Sequence, residues 1–156
     1  MIRVEVIMVN APEEIAKKHG ALFAEALQDA CEFWHDNILP RHFQLDARRK
    51  YSYQARTAPY MRYKARRFGH QRPLELTGDL RRQTTGMVTL RKSKGQATAT
   101  MRAPKYLYQY RPGAPNKAAE LVATVTAEIG EMAKVISASV QEKLDRLHEE
   151  KREKLA

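Results

Sequence analysis

Cysteine is almost absent from this chain of 156 residues. Cys31 stands alone, so no intrachain disulfide framework and no cysteine-based zinc module can form, and the usage fits a reducing compartment. Long apolar runs are missing too. No stretch approaches the ~20 apolar residues that a membrane-spanning helix needs. The apolar opening Ile7-Met8-Val9 is too short and wrongly flanked for a signal peptide. Glycine-rich phosphate loops, dinucleotide-binding fingerprints and the Gly-x-Ser-x-Gly elbow are all lacking. The length suits a single domain over 1–156.

Acid is scarce in the middle of the chain. Residues 41–111 hold 18 basic side chains and only three acidic ones, Asp46, Glu75 and Asp79. The flanking segments are mildly acidic, so the whole excess behind the net charge of +10 lies in this block. Such segregation points to a polyanionic partner or a negatively charged neighbouring surface. It also argues against a metal-dependent nuclease, which needs clustered carboxylates to hold divalent ions. Cys31 and His35 stand four apart and could share a helical face. Without a third ligand they read as a core cysteine beside a boundary histidine.

What is present orders itself readily at the two ends. Residues 2–9 alternate and are rich in β-branched side chains, which predicts a strand. Asn10 to Glu14 read as a helix start, with Asn10 or Ala11 as cap, Pro12 in the first turn and two acids near the positive end of the dipole. Apolar residues then recur at helical spacing through Leu22, Phe23, Ala26, Leu27, Ala30, Phe33, Trp34 and Ile38. A helix over 12–38, ended by Pro40, is expected, with Gly20 weakening it by about 1 kcal/mol relative to Ala.

Two runs, 87–91 and 96–102, predict a hairpin, with Gly95 supplying a positive φ. Tyr106 to Tyr110 is a third strand candidate, at an edge. Asn116 caps a closing helix over 117–147, whose stripe runs from Leu121 through Val125, Ile129, Met132 and Ile136 to Leu147. Residues 148–156 are charged and expected to fray. The fold class expected is α+β: a small, mainly antiparallel sheet of the N-terminal strand and the hairpin, covered on one face by the two long helices.

Residues 41–72 follow neither period. Arg48, Arg49, Lys50, Arg56, Arg62, Lys64, Arg66 and Arg67 are interleaved with Tyr51, Tyr53, Tyr60, Tyr63 and Phe68, and Pro59 interrupts. An extended basic and aromatic loop is the reading, with room for a short helix between Tyr60 and Phe68. Two roles suit it. The cations can neutralise phosphates while tyrosines stack, without sequence preference. Alternatively the segment docks on a neighbouring subunit, which the density of aromatic anchors favours.

The run Pro73-Leu74-x-x-Thr77-Gly78-x-Leu80-Arg81 resembles a motif of the tail-completion and head–tail joining proteins of tailed bacteriophages, the group of virion morphogenesis proteins. The order of elements resembles them as well: long helix, basic and aromatic stretch, motif, hairpin, tyrosine-rich segment, closing helix. The resemblance implies a structural virion protein without enzymatic activity or cofactor, assembled in the host cytoplasm. It implies a ring of identical copies that contacts neck or connector and tail-tube proteins, with DNA passing through the lumen. The motif would mark the fold: Gly78 allowing a tight turn, Thr77 capping the turn after it, Leu80 anchoring it. Asp79 stands where the family often has a basic residue, and Arg82-Gln83-Thr84 where it commonly has a serine. Neck, tail-completion and tail-terminator roles therefore stay open. The competing class is an accessory protein that binds nucleic acid without sequence specificity.

Overall fold

A computed structural model describes residues 1–7, 13–93, 96–108 and 113–154. Strand β1 (Ile2–Ile7) opens the chain and helix α1 (Glu13–Phe33) follows. The expected cap at residues 10–12, the strand end at 8–9 and the turn at Gly95 lie outside the described residues. The hairpin strands are β2 (Val88–Ser93) and β3 (Gln96–Met101). Together the strands form an antiparallel sheet in the order β1-β3-β2. The fold is a small α+β arrangement.

Register explains which sheet face is covered. Ile2 and Val88 flank Met101, and Val4 and Leu90 flank Ala99, so apolar side chains from all three strands share one face. α1 lies across that face and touches every strand. The central strand offers Ala97 and Ala99, both essentially inaccessible, to Leu27 and Cys31 of α1. Small side chains at the sheet centre let the helix approach closely. Burial pushes the Cys31 thiol up to about 11.

The helical course of α1 does not stop at Pro40. It kinks at His19 (φ −125°, ψ 20°), beside Gly20, and after Phe33 it widens into a π-turn over Trp34–Ile38, where Leu39 N–H bonds Trp34 O. It then tightens into a 3₁₀ helix over Leu39–Phe43. Pro40, in the first turn of that 3₁₀ segment, needs no N–H partner there, so the chain keeps its course. Trp34, Ile38, Leu39 and Phe43 then sit at 2% exposure or less, in one cluster with Ile2, Leu80, Met101, Leu107 and Leu121. Each such side chain contributes roughly 1.5–3 kcal/mol by leaving water.

The expected extended loop over 41–72 is folded. After the 3₁₀ turn come α2 (Ala47–Lys50) and α3 (Ala58–Phe68). Leu39, Phe43, Ala47 and Tyr51 are all buried, although the chain is extended at Gln44 between the 3₁₀ segment and α2, so no continuous helix links them. Pro59 starts α3 rather than interrupting it, and Gly69 ends it in the left-handed conformation at φ 71°.

Three further expectations are corrected. The tyrosine-rich segment is a 3₁₀ turn over Lys105–Tyr108 rather than a strand, closed by Leu107 N–H on Pro104 O at 3.1 Å. The rest of that strand candidate, residues 109–110, lies outside the described residues. The closing helix divides into α5 (Lys117–Leu121) and α6 (Thr126–Glu153), with α4 (Asp79–Thr84) earlier in the chain. Val122, Thr124, Val125 and Thr126 are weak helix formers, and Glu128 turns back to accept Val125 N–H at 3.4 Å. α6 is helical through Glu153, beyond the expected fraying point. It runs antiparallel along α1, with Arg41 near Glu131 and Asp29 near Lys143, and reaches the sheet cluster through Ile136. α1 lies directly on the sheet and α6 packs along α1, so the sheet is covered by helices as expected.

Candidate functional site: a basic and aromatic groove

The motif forms the short helix α4 and the turn before it. Gly78 stands at φ 85°, so the tight turn needs its freedom from a Cβ. Leu80 is buried in the main cluster. Thr77 does not cap the helix backbone; its hydroxyl donates to Asp79 Oδ2 at 2.8 Å. Leu74 is left-handed as well, at φ 56°, a conformation that costs a side-chain-bearing residue roughly 1–2 kcal/mol. Packing of Leu74 against two hydrophobic clusters holds it there.

α3, the 71–77 segment, the 105–108 turn and the start of α5 surround a groove. One compartment, of about 510 Å³, has Tyr53, Lys64, Leu74 and Glu75 in its walls. A second, wider compartment of about 820 Å³ runs on towards Tyr108 and Asn116. Both are lined by Gln54, Arg56, Tyr60, Tyr106 and Lys117, so the two compartments are continuous.

The charges of the groove are arranged in depth. At the rim Arg48, Arg72 and Lys117 are exposed, and Lys117 Nζ lies 5.4 Å from the centre of the Tyr106 ring. In the wall Arg56 grips Glu120, which also accepts Gln54 N–H at 3.1 Å. Deeper still, Lys64 is only 3% exposed and donates to Arg72 O. Burial pushes its ammonium below the ordinary lysine range, with Glu75 opposing that shift. Glu75 is itself 9% exposed, and its Oε2 has no hydrogen-bond partner among the described residues. Arg72 lies 3.5 Å from Oε1, and Arg81 lies 3.9 Å from Oε2, too far for a hydrogen bond.

A buried polar network supports the groove from behind. Tyr53 O–H and His42 Nδ1 share a hydrogen bond, and His42 stacks on Tyr51 at 4.0 Å between ring centres. Tyr51 O–H donates to Glu128 at 2.6 Å, and Lys50 Nζ reaches the same oxygen at 2.6 Å. Burial opposes ionisation of Glu128, yet the bonds from Lys50, Tyr51 and Val125 N–H outweigh it and hold the carboxyl below its usual range. Burial, then the Glu128 bond, pushes Tyr51 up; burial, then the neighbouring Tyr51, does the same to Tyr53. Burial lowers His42 to about 4. His42, Tyr51, Tyr53 and Glu128 are all buried, so this network ties the 39–53 segment to α6 rather than presenting groups to solvent.

The expected site residues therefore separate. Arg48, Tyr53, Arg56, Tyr60 and Lys64 meet Pro73, Leu74 and Thr77 around the groove. Lys50 and Tyr51 belong to the buried network, a correction to their reading as part of an exposed loop. Arg49 is exposed on α2, and Arg81 on α4. Arg62, Tyr63, Arg66 and Arg67 lie on the outer side of α3, with Tyr63 edge-on to Phe68 at 6.1 Å. Glu75, Arg72, Tyr106, Lys117 and Glu120 were missed as parts of this site. The signal for Glu75 is the rarity of acid in the basic block; Glu120 stands in the mildly acidic closing segment and carries no such signal. Cys31 packs with Leu27, Ala97 and Ala99, whereas His35 Nε2 meets Thr84 O at 3.0 Å.

Compared with protein-family models, with curated proteins and with solved structures, the chain matches none.

Proposed function

We propose that this chain is a structural virion protein of a tailed phage that completes or joins the tail at the head–tail interface, as a neck, tail-completion or tail-terminator subunit. Its copies form a ring and its work is done through contacts rather than catalysis. The observation that carries the reading is the Pro73-Leu74-x-x-Thr77-Gly78-x-Leu80-Arg81 run in its setting. Its turn forms one wall of a groove rimmed by cations and tyrosines, the chemistry of a docking surface. Neck and tail-tube proteins are the partners this assigns, and the assembled virion is the location.

The second reading, binding of nucleic acid without sequence preference, draws on a different surface. Arg62, Arg66 and Arg67 share the outer face of α3 and none has a carboxylate partner among the described ion pairs. In a ring, that face could line the lumen.

Light scattering of the purified chain, with negative-stain imaging, tests the first reading. Ring-shaped particles of several copies are expected, alone or on addition of neighbouring virion proteins. A chain that stays monomeric under both conditions contradicts it.

A further inference from the structure

The groove is more specific than a basic patch. Leu45, Tyr60, Leu76 and Tyr106 stand exposed around its first compartment, and Tyr108 around the second. Large exposed apolar side chains gathered at a concave site mark a contact surface rather than ordinary exposure. Arg48, Arg72 and Lys117 surround them with positive charge. A partner must therefore bring apolar anchors and negative flanks together.

Glu75 decides between polyanions. Its carboxylate is nine-tenths buried in the groove wall, and Oε2 lacks a hydrogen-bond donor among the described residues. A buried acceptor without a donor is costly, so the occupant should supply an N–H. A phosphate has no donor to give there and is repelled by the carboxylate. A peptide backbone has one at nearly every residue. The strained Leu74, immediately before Glu75, adds a backbone outlier of the kind that gathers at ligand sites.

We propose that the groove receives an extended acidic peptide segment with aromatic or aliphatic anchors, contributed by a protein seated against this one. The proposal rests on the assembly reading only for the identity of that protein. The anchors enter between Tyr60 and Tyr106, carboxylates meet Arg48, Arg72 and Lys117 at the rim, and a backbone N–H of the segment donates to Glu75 Oε2.

A yeast-displayed library of random peptides, selected against the full chain, tests this directly. The enriched peptides should be net negative, with Leu, Phe, Tyr or Trp at intervals. Arg48→Glu with Lys117→Glu should weaken them at least tenfold, and so should Tyr106→Ser, a change of about 1.4 kcal/mol per factor of ten. These residues are exposed, so a melting curve like the parent's should accompany the loss. Glu75→Gln should weaken the same peptides while leaving the preference for negative charge intact.

Enrichment of basic peptides, no enrichment, or binding unchanged in all three variants overturns the proposal. Displacement of the peptides by duplex DNA that itself requires Tyr106 also overturns it. Enriched peptides that match an acidic stretch of this chain uphold it and make the neighbour a second copy. The selection reads the groove without requiring assembly. Rings with no acidic peptide selected remove the groove proposal and leave the structural role; a monomer that selects acidic peptides does the reverse.

Discussion

Arg56 and Glu120, 64 residues apart, meet in a two-pronged ion pair: Nη1 to Oε1 at 3.1 Å and Nη2 to Oε2 at 2.5 Å. The pair joins the segment before α3 to α5, and both side chains are largely withdrawn from water. It fixes the groove wall shared by both compartments. Removing one partner strands the other charge, which typically costs about 3 kcal/mol or more. Arg56→Ala should therefore lower the melting temperature well beyond a surface substitution. Each single change strands the surviving charge and the double change strands neither, so Arg56→Ala and Glu120→Ala together should cost less than the sum of the singles.

Stability should fall in mild acid through His42. Its folded pKa of about 4 lies below the ordinary 6.5, chiefly because burial disfavours the imidazolium, so the unfolded chain takes up the proton first. The contribution of His42 is whole above pH 6.5 and is lost as pH falls towards 4, up to about 3 kcal/mol. Denaturant midpoints measured across that range should show the decline. His42→Gln, which keeps a hydrogen-bonding partner for Tyr53, should flatten it. Glu128 and Asp29, whose folded pKa values are lowered, add losses of the same sign at lower pH.

Gly78→Val should destabilise by at least ~1 kcal/mol and lower soluble yield, since φ 85° is closed to a β-branched residue. Nothing lies within 4 Å of the position of an added Cβ, so the cost is in the backbone rather than in a clash. Gly78→Asn, which tolerates the left-handed region, should recover much of it. Equal melting temperatures for parent and valine variant would contradict the turn.

The parts of the fold that could be read from sequence are those with one clean period. The β1 alternation Ile2, Val4, Val6 and the apolar face of α1 each bury a single stripe, so pattern and packing agree. The 39–53 segment could not be read because its buried set includes His42, Tyr51 and Tyr53, satisfied by partners far along the chain such as Glu128. Tyr106-Leu107-Tyr108 alternates outward, inward, outward, which mimics a strand although the segment is a 3₁₀ turn. Of the candidate site, Arg48, Arg56, Tyr60 and the motif were legible as residue types in a charged block. Their convergence with Glu75, Tyr106 and Lys117 depends on tertiary packing, which no local spacing encodes.

In the proposed role the basic and aromatic block serves protein contacts in an assembly. The most direct test of that role is the salt dependence of binding between the isolated subunit and a short DNA duplex. Feeble binding is expected, with little change between about 50 and 200 mM salt. Neutralising several phosphates would instead lower affinity steeply, with a logarithmic slope of roughly 0.9 per contact. Tight binding of that kind, flattened by changing Arg62, Arg66 and Arg67 together to Ser, would contradict the account and establish the α3 face as a nucleic-acid surface.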